Sequence, residues 1–379
     1  MGRKLPACHA SGTGCCHTLN SLPRHAEGHI YIRYRKEIIK DMRQIFNFAL
    51  CALSFSLCAG LSACGGHTGR SSREADTIAL APCPEFCEDS AMNHIQTQCD
   101  FGPRVMGTES ARLCGDFIAS CFRRYGATVT EQECTVTLYD GTQLPARNII
   151  ASINPESLDR ILFCAHWDSR PWADNDPDEA NHRKPVPAAN DGASGVAVLL
   201  ELCRLIQQQP VRTGIDFVCF DAEDAGTPEW DEDPADGRET WCLGSAYWAQ
   251  QAREANYKAR YGVLLDMVGG RGCTFAREQV SRQYAEPVVE LIWHLAIQLG
   301  YGHYFPLTDG GYLIDDHVNV NRIARIPCLD IVPYFTDGPS NFGPTWHTLQ
   351  DTPENIDPNV LKAVGQTLTQ LIYNDNAEE

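Results

Sequence analysis

The sequence predicts an α/β fold: a three-layer α/β/α sandwich around a central, mostly parallel mixed sheet. Two observations carry this. Short apolar runs of strand length alternate with amphipathic helical stretches along most of the chain, as in crossover-connected parallel strands. Candidate ligand side chains also stand just past the ends of several such runs, at the rim where open α/β sheets collect their ligands.

The elements follow in chain order. Amphipathic spacing predicts helices over 88–99 and 109–125, the second stopped by Gly126. Strand-like runs cover 128–138, 148–153, 161–165, 215–220, 262–265 and 328–332. Helical patterns cover 193–208, 243–254, 284–299 and 358–373. Three irregular segments, 169–188, 225–239 and 333–344, adjoin the candidate ligands and are expected around the same rim.

A chain of 379 residues can bury a sizeable core, and its net charge of −18 argues against nucleic acid as a partner. The acidic runs at 174–179 and 231–233 read as solvated loops. Of eighteen cysteines, six lie at or before Cys64. Cys164, Cys219 and Cys328 fall in apolar runs and read as small buried thiols. Cys83 with Cys87, and Cys114 with Cys121, are candidate disulfides, but spacing alone assigns no pairing.

Five segments place metal-type ligands together: His166, Asp191, Glu223-Asp224, Asp266 and His347. Two imidazoles and several carboxylates without a thiolate suit an open, hydrolytic-type zinc site. Adjacent carboxylates at Glu223 and Asp224 repel unless their roles differ, one binding metal and the other exchanging protons. Asp266 ends a buried run and needs a cation or a proton-sharing partner, which Asp315 could supply.

Ahead of the fold, Arg43 precedes an apolar stretch over 45–60 and then Leu61-Ser62-Ala63-Cys64. The stretch is short for a membrane-spanning helix. It resembles a bacterial lipoprotein signal, with Cys64 as the acylated residue. Residues 42–63 are therefore expected to form a signal peptide, 64–80 a flexible tether and 81–379 a single catalytic domain. Residues 1–41 are expected to be absent from the mature protein, with Met42 as the start. The implied place is the bacterial cell envelope, on the periplasmic side, lipid-anchored to a membrane via Cys64.

The ligand-bearing segments stand in the order found in the zinc aminopeptidase and glutaminyl cyclase superfamily, which the chain resembles over about 90–375. His166-Trp167-Asp168-Ser169, Asp221-Ala222-Glu223-Asp224, Leu264-Leu265-Asp266-Met267, Asp315-Asp316-His317 and Trp346-His347-Thr348 carry the resemblance; the last three are similar to the cyclase signatures, and His166 to Trp172 with the Leu61-to-Cys64 lipobox looks like the bacterial branch. It implies one zinc per chain held by Asp191, Asp224 and His347, and Glu223 as general acid/base. Asp266 and Asp315 would hold the leaving group, and Trp230 and Trp346 would wall the substrate pocket. The substrates implied are peptides or proteins with N-terminal glutamine, and a monomer is expected. The alternative is an aminopeptidase of the same fold that binds two zincs, with His166 as a second-metal ligand instead of a neighbour of the site. A binding lipoprotein that has lost activity is a third reading, which the intact Glu223 opposes. Ile314 departs from the animal cyclases, which carry glutamine there.

Overall fold

The computed structural model describes residues 77–338 and 340–377. Cys64, the signal peptide and residues 1–41 lie outside them. Ile78 is already tied to the domain, its backbone N–H and C=O both hydrogen-bonded to the Gln298 amide.

Six strands form one sheet in the order β1-β2-β4-β3-β5-β6. They are β1 (Thr128–Thr137), β2 (Gln143–Ile153), β3 (Arg160–His166), β4 (Gly214–Phe220), β5 (Gly262–Leu265) and β6 (Cys328–Ile331). β4, β3, β5 and β6 run parallel, while β1 and β2 add an antiparallel edge. Seven α-helices complete the described chain: α1 (Glu88–Asp100), α2 (Glu109–Arg124), α3 (Ala193–Gln208), α4 (Leu243–Glu254), α5 (Gln279–Gln298), the single turn α6 (Asp316–Asn319) and α7 (Pro358–Asp375).

Strand alternation divides the core into two layers. Ile161, Phe163, Ala165, Ile215, Phe217 and Val263 point into a large cluster with α1, α2, α3, α5 and α7. Their neighbours Leu162, Cys164, Val218, Phe220 and Leu264 point the other way, against Trp248 and Ala249 of α4 and the segment after α6. Strands covered on both faces are buried at every position, which is why 161–165 and 217–220 read as hydrophobic runs; buried Asp216 of β4 is paired with Arg160 of β3 at 2.6 Å. The predicted three-layer α/β sandwich is the fold observed.

Some local expectations are corrected. α5 begins at Gln279 rather than 284, because the Glu278 carboxylate caps Val280 and Ser281 from outside the periodic stretch. Asp174 and Asp176 are buried, not solvated. Asp174 pairs with buried Arg170 at 2.5 Å, and Asp176 accepts hydrogen bonds from Asp178, Asn181 and Leu349. All twelve cysteines of the described chain are free thiols, so neither candidate disulfide forms. Among the described residues no helix is long and apolar enough to cross a membrane.

Candidate active site

Parallel register builds the site. Cys164 pairs with Leu264 and His166 with Phe220. His166, at the end of β3, therefore stands level with Asp266 just past β5, beside the turn that carries Asp221 to Asp224 past β4. Asp191 arrives from the turn before α3, and His347 from the long loop before α7. Gly192 makes the approach possible, since a Cβ there would lie 2.7 Å from both the His166 ring and its carbonyl oxygen.

The predicted ligands gather into two triads that share Asp191: His166, Asp191 and Asp266, and Asp191, Asp224 and His347, each with ligand atoms within 4.8 Å of one another. The two differ chemically. His166 Nε2 lies 2.9 Å from Asp191 Oδ1 and 3.2 Å from Asp266 Oδ1, and its Nδ1 lies 3.3 Å from Asp168 Oδ1. Burial works against a charge on this imidazole, yet the three carboxylates prevail and raise its pKa well above 6.5. His166 is thus partnered at both nitrogens.

Asp224 is the opposite case. Neither of its buried oxygens has a hydrogen-bond partner, although His347 Nε2 lies 3.0 Å from Oδ1. A carboxylate and an imidazole that close, without hydrogen-bond geometry, are arranged as two ligands of one cation would be. A buried carboxylate without hydrogen bonds is costly, and a coordinated cation offsets the cost more fully than the Arg170 guanidinium 3.9 Å away. One imidazole and two carboxylates fit zinc with a position left open.

Several supporting residues escaped sequence reading. Asp168 accepts hydrogen bonds from the backbone N–H groups of Glu223 and Asp224, fixing that turn, at 3.2 and 3.1 Å. Asp351 does the same for Asn190 and Asp191 at 2.7 and 3.0 Å. Arg170 donates to the carbonyls of Asp224 and Gly226. Only Asp168 carried a local signal, its place two residues after His166; the others act on remote backbone.

Glu223 stands beside the second triad. Burial pushes its carboxyl well above the usual carboxylate range; the His166 charge opposes this, and Asp224, Asp315 and Asp316 add to it. Burial likewise raises Asp266 and Asp315. Burial also works against ionisation of Asp191, but the hydrogen bond and charge of His166 hold it below 3.8. Asp315 caps α6 by accepting the Asp316 N–H. One carboxyl group here is therefore poised for proton exchange while another stays ionised for metal.

Rings enclose His347. Trp346 stacks on it at 3.9 Å, and Trp241, which sequence spacing did not single out, lies parallel to it at 6.0 Å. Trp230 stands further out. It meets Trp172 edge-on at 6.0 Å and lies under the Arg183 guanidinium at 4.3 Å. Arg170 lies over both Trp172 and Trp241, at 5.2 and 4.4 Å, linking the outer rings to the inner.

The description "Peptidase family M28" belongs to the family model that matches residues 148–372, a span containing both triads. The chain belongs to that family. Solved structures similar to this member of M28 include a Zn-dependent exopeptidase from Parabacteroides distasonis, 48% identical with a TM-score of 0.75, matching 77% of this chain and 100% of that one. The glutaminyl cyclase of Tannerella forsythia is 53% identical with a TM-score of 0.74, matching 77% of this chain and 99% of that one. The glutaminyl cyclase of Bacteroides thetaiotaomicron, bound to N-acetylhistamine, is 48% identical with a TM-score of 0.74 and the same coverage. The M28 chain spans 49% of the length of a curated relative, an aminopeptidase of Bacillus subtilis, to which it is 26% identical over 262 residues.

Proposed function

We propose that this M28 member is a zinc-dependent glutaminyl-peptide cyclotransferase that converts N-terminal glutamine of peptides and proteins to pyroglutamate with release of ammonia. Its likeness to bacterial glutaminyl cyclases supports the reading. The observation that carries it is the asymmetry of the triads. His166 is hydrogen-bonded to protein carboxylates, whereas neither oxygen of Asp224 has a hydrogen-bond partner. One zinc in the Asp191, Asp224 and His347 triad meets the need of Asp224, and His166 stays with Asp266.

Zinc held there would act as a Lewis acid on the γ-carbonyl of the substrate glutamine. The chain's own groups do the rest. Glu223 takes a proton from the α-amine as its nitrogen bonds to Cδ, and delivers one to the amide nitrogen as the C–N bond breaks and ammonia leaves. Asp266 and Asp315 hold the leaving nitrogen by hydrogen bonds. Trp346 and Trp241 wall a dry pocket that keeps the amine near the carbonyl, with Trp230 at its mouth.

The second reading is a dizinc aminopeptidase, favoured by the convergence of His166, Asp191 and Asp266. Zinc per chain, ammonia release from Gln-β-naphthylamide and cleavage of Leu-p-nitroanilide separate the two. One zinc with ammonia release and an intact anilide is expected. Two zincs with anilide cleavage would establish the peptidase instead.

The envelope reading is carried by Leu61-Ser62-Ala63-Cys64 alone. We propose a monomer anchored at Cys64 and facing the periplasm. Radiolabelled palmitate should enter the full chain and not Cys64→Ala; equal labelling of both removes the anchor.

A further inference from the structure

We propose that Glu223, Cys242 and Asp315 form a second cation site that takes a soft or borderline divalent ion and blocks turnover when filled. Ligand atoms of Glu223, Cys242 and Asp315 lie within 4.8 Å of one another. Cys242 Sγ is 3.3 Å from Glu223 Oε1, and the Cys242 N–H donates to the Glu223 carbonyl at 2.9 Å, so the backbone holds the two together. Cys242 sits in the left-handed region, at φ 55°. That is an uncommon conformation for a non-glycine residue, and here it turns the thiol to the carboxylate.

A separate observation points to a ligand. Asp316 is fully buried, and neither of its oxygens has a hydrogen-bond partner. The neighbouring Ser245 hydroxyl donates to the Cys242 carbonyl instead. Asp316 follows Asp315 directly in the chain, and the charges of both oppose ionisation of Glu223 and Cys242. Two carboxyl groups and a thiol thus lie together, with Asp316 next in the chain to one of them and His166 Nδ1 3.9 Å from Glu223 Oε2. A thiolate among carboxylates favours Zn²⁺ or Cd²⁺ over Mg²⁺ or Ca²⁺. Binding releases the thiol proton and any carboxyl protons to solvent, with no change of oxidation state. The site itself stands on these distances; its effect on turnover rests on the proposed role of Glu223 as the base, because a coordinated Glu223 cannot accept a proton.

The test titrates the zinc-loaded full chain with Cd²⁺, followed by desalting. Cadmium and zinc per chain are counted, and the thiolate-to-cadmium charge-transfer absorption is recorded. Wild type should bind one cadmium more than Cys242→Ala and than Cys242→Ser, with a stronger charge-transfer band and its zinc retained. The cadmium concentration that halves turnover should rise about tenfold or more in both variants, each measured against its own cadmium-free rate. Equal cadmium and equal absorption in wild type and in a variant that keeps its zinc overturns the site. Cadmium bound as expected with turnover untouched keeps the site and overturns Glu223 as the base.

Discussion

Glu223→Gln is expected to lower kcat by about 10³-fold or more while zinc content stays at the wild-type level. The substitution keeps the size and shape of the side chain and leaves Asp224, on the same turn, in place. It removes the one property the proposed reaction asks of Glu223, the ability to take a proton and return it. The turn should hold, since Asp168 fixes it through the backbone N–H groups of residues 223 and 224 and not through the side chain. Wild-type activity should also show an acid limb that Glu223→Gln lacks. Burial places the Glu223 pKa well above its ordinary 4.5, so the ionised base is present above that raised pKa and is lost as pH falls through it. Steady-state kinetics across pH and zinc analysis check both points. Near-wild-type turnover would remove Glu223 from the mechanism; loss of zinc would make it a ligand.

Much of this molecule was legible in its sequence because burial on two faces writes itself into composition. β3, β4 and β5 sit between two helical layers, so every position is buried and apolar residues dominate the runs, with Arg160 and Asp216 paired to each other at 2.6 Å. The start of α5 was not legible for a physical reason. Glu278 caps the helix and also binds the Leu313 N–H, so the cap is part of a tertiary contact, and the chain departs from helical geometry at Ala285, two residues before Pro287. The acidic run around Asp174 misled for a related reason. Composition reports charge, but only the fold reveals that Arg170 is buried beside it.

The candidate site divides in the same way. Residues that end strands, His166 and Asp266, were found because their position follows from alternating elements. Asp191, Glu223-Asp224 and His347 followed from their order along the chain. Asp351 and Arg170 were not found, since each serves a backbone group distant in sequence. Trp241 was missed because the loop over 225–240 folds back on the site, a path that spacing along the chain does not record. The resemblance to the cyclases selected Trp230, which the fold places against Trp172 and Arg183.

Asp224→Asn is expected to abolish zinc retention and with it turnover, yet to stabilise the metal-free protein above about pH 6. The two effects have one cause. Burial, with the charge of Asp191, raises the Asp224 pKa from 3.8 to about 6, although His347 opposes the shift. Between those values the folded state binds more protons than the unfolded state at this residue, so the slope of stability with pH is negative. Stability is therefore full below about 3.8 and declines as pH rises to about 6, where a carboxylate without a hydrogen-bond partner must stay charged in the interior. Zinc offsets that cost when bound, and protons compete with it, so zinc retention in wild type should fall as pH drops through about 6. The amide introduced by Asp224→Asn carries no charge, so the metal-free variant should lack the decline. Urea unfolding of chelator-treated wild type and variant across pH, with zinc counted in parallel, decides the matter. A variant that keeps zinc would take Asp224 out of the triad. A metal-free wild type as stable at pH 7 as at pH 4, with no gain from the substitution, would mean that protein groups and not a cation satisfy those two oxygens.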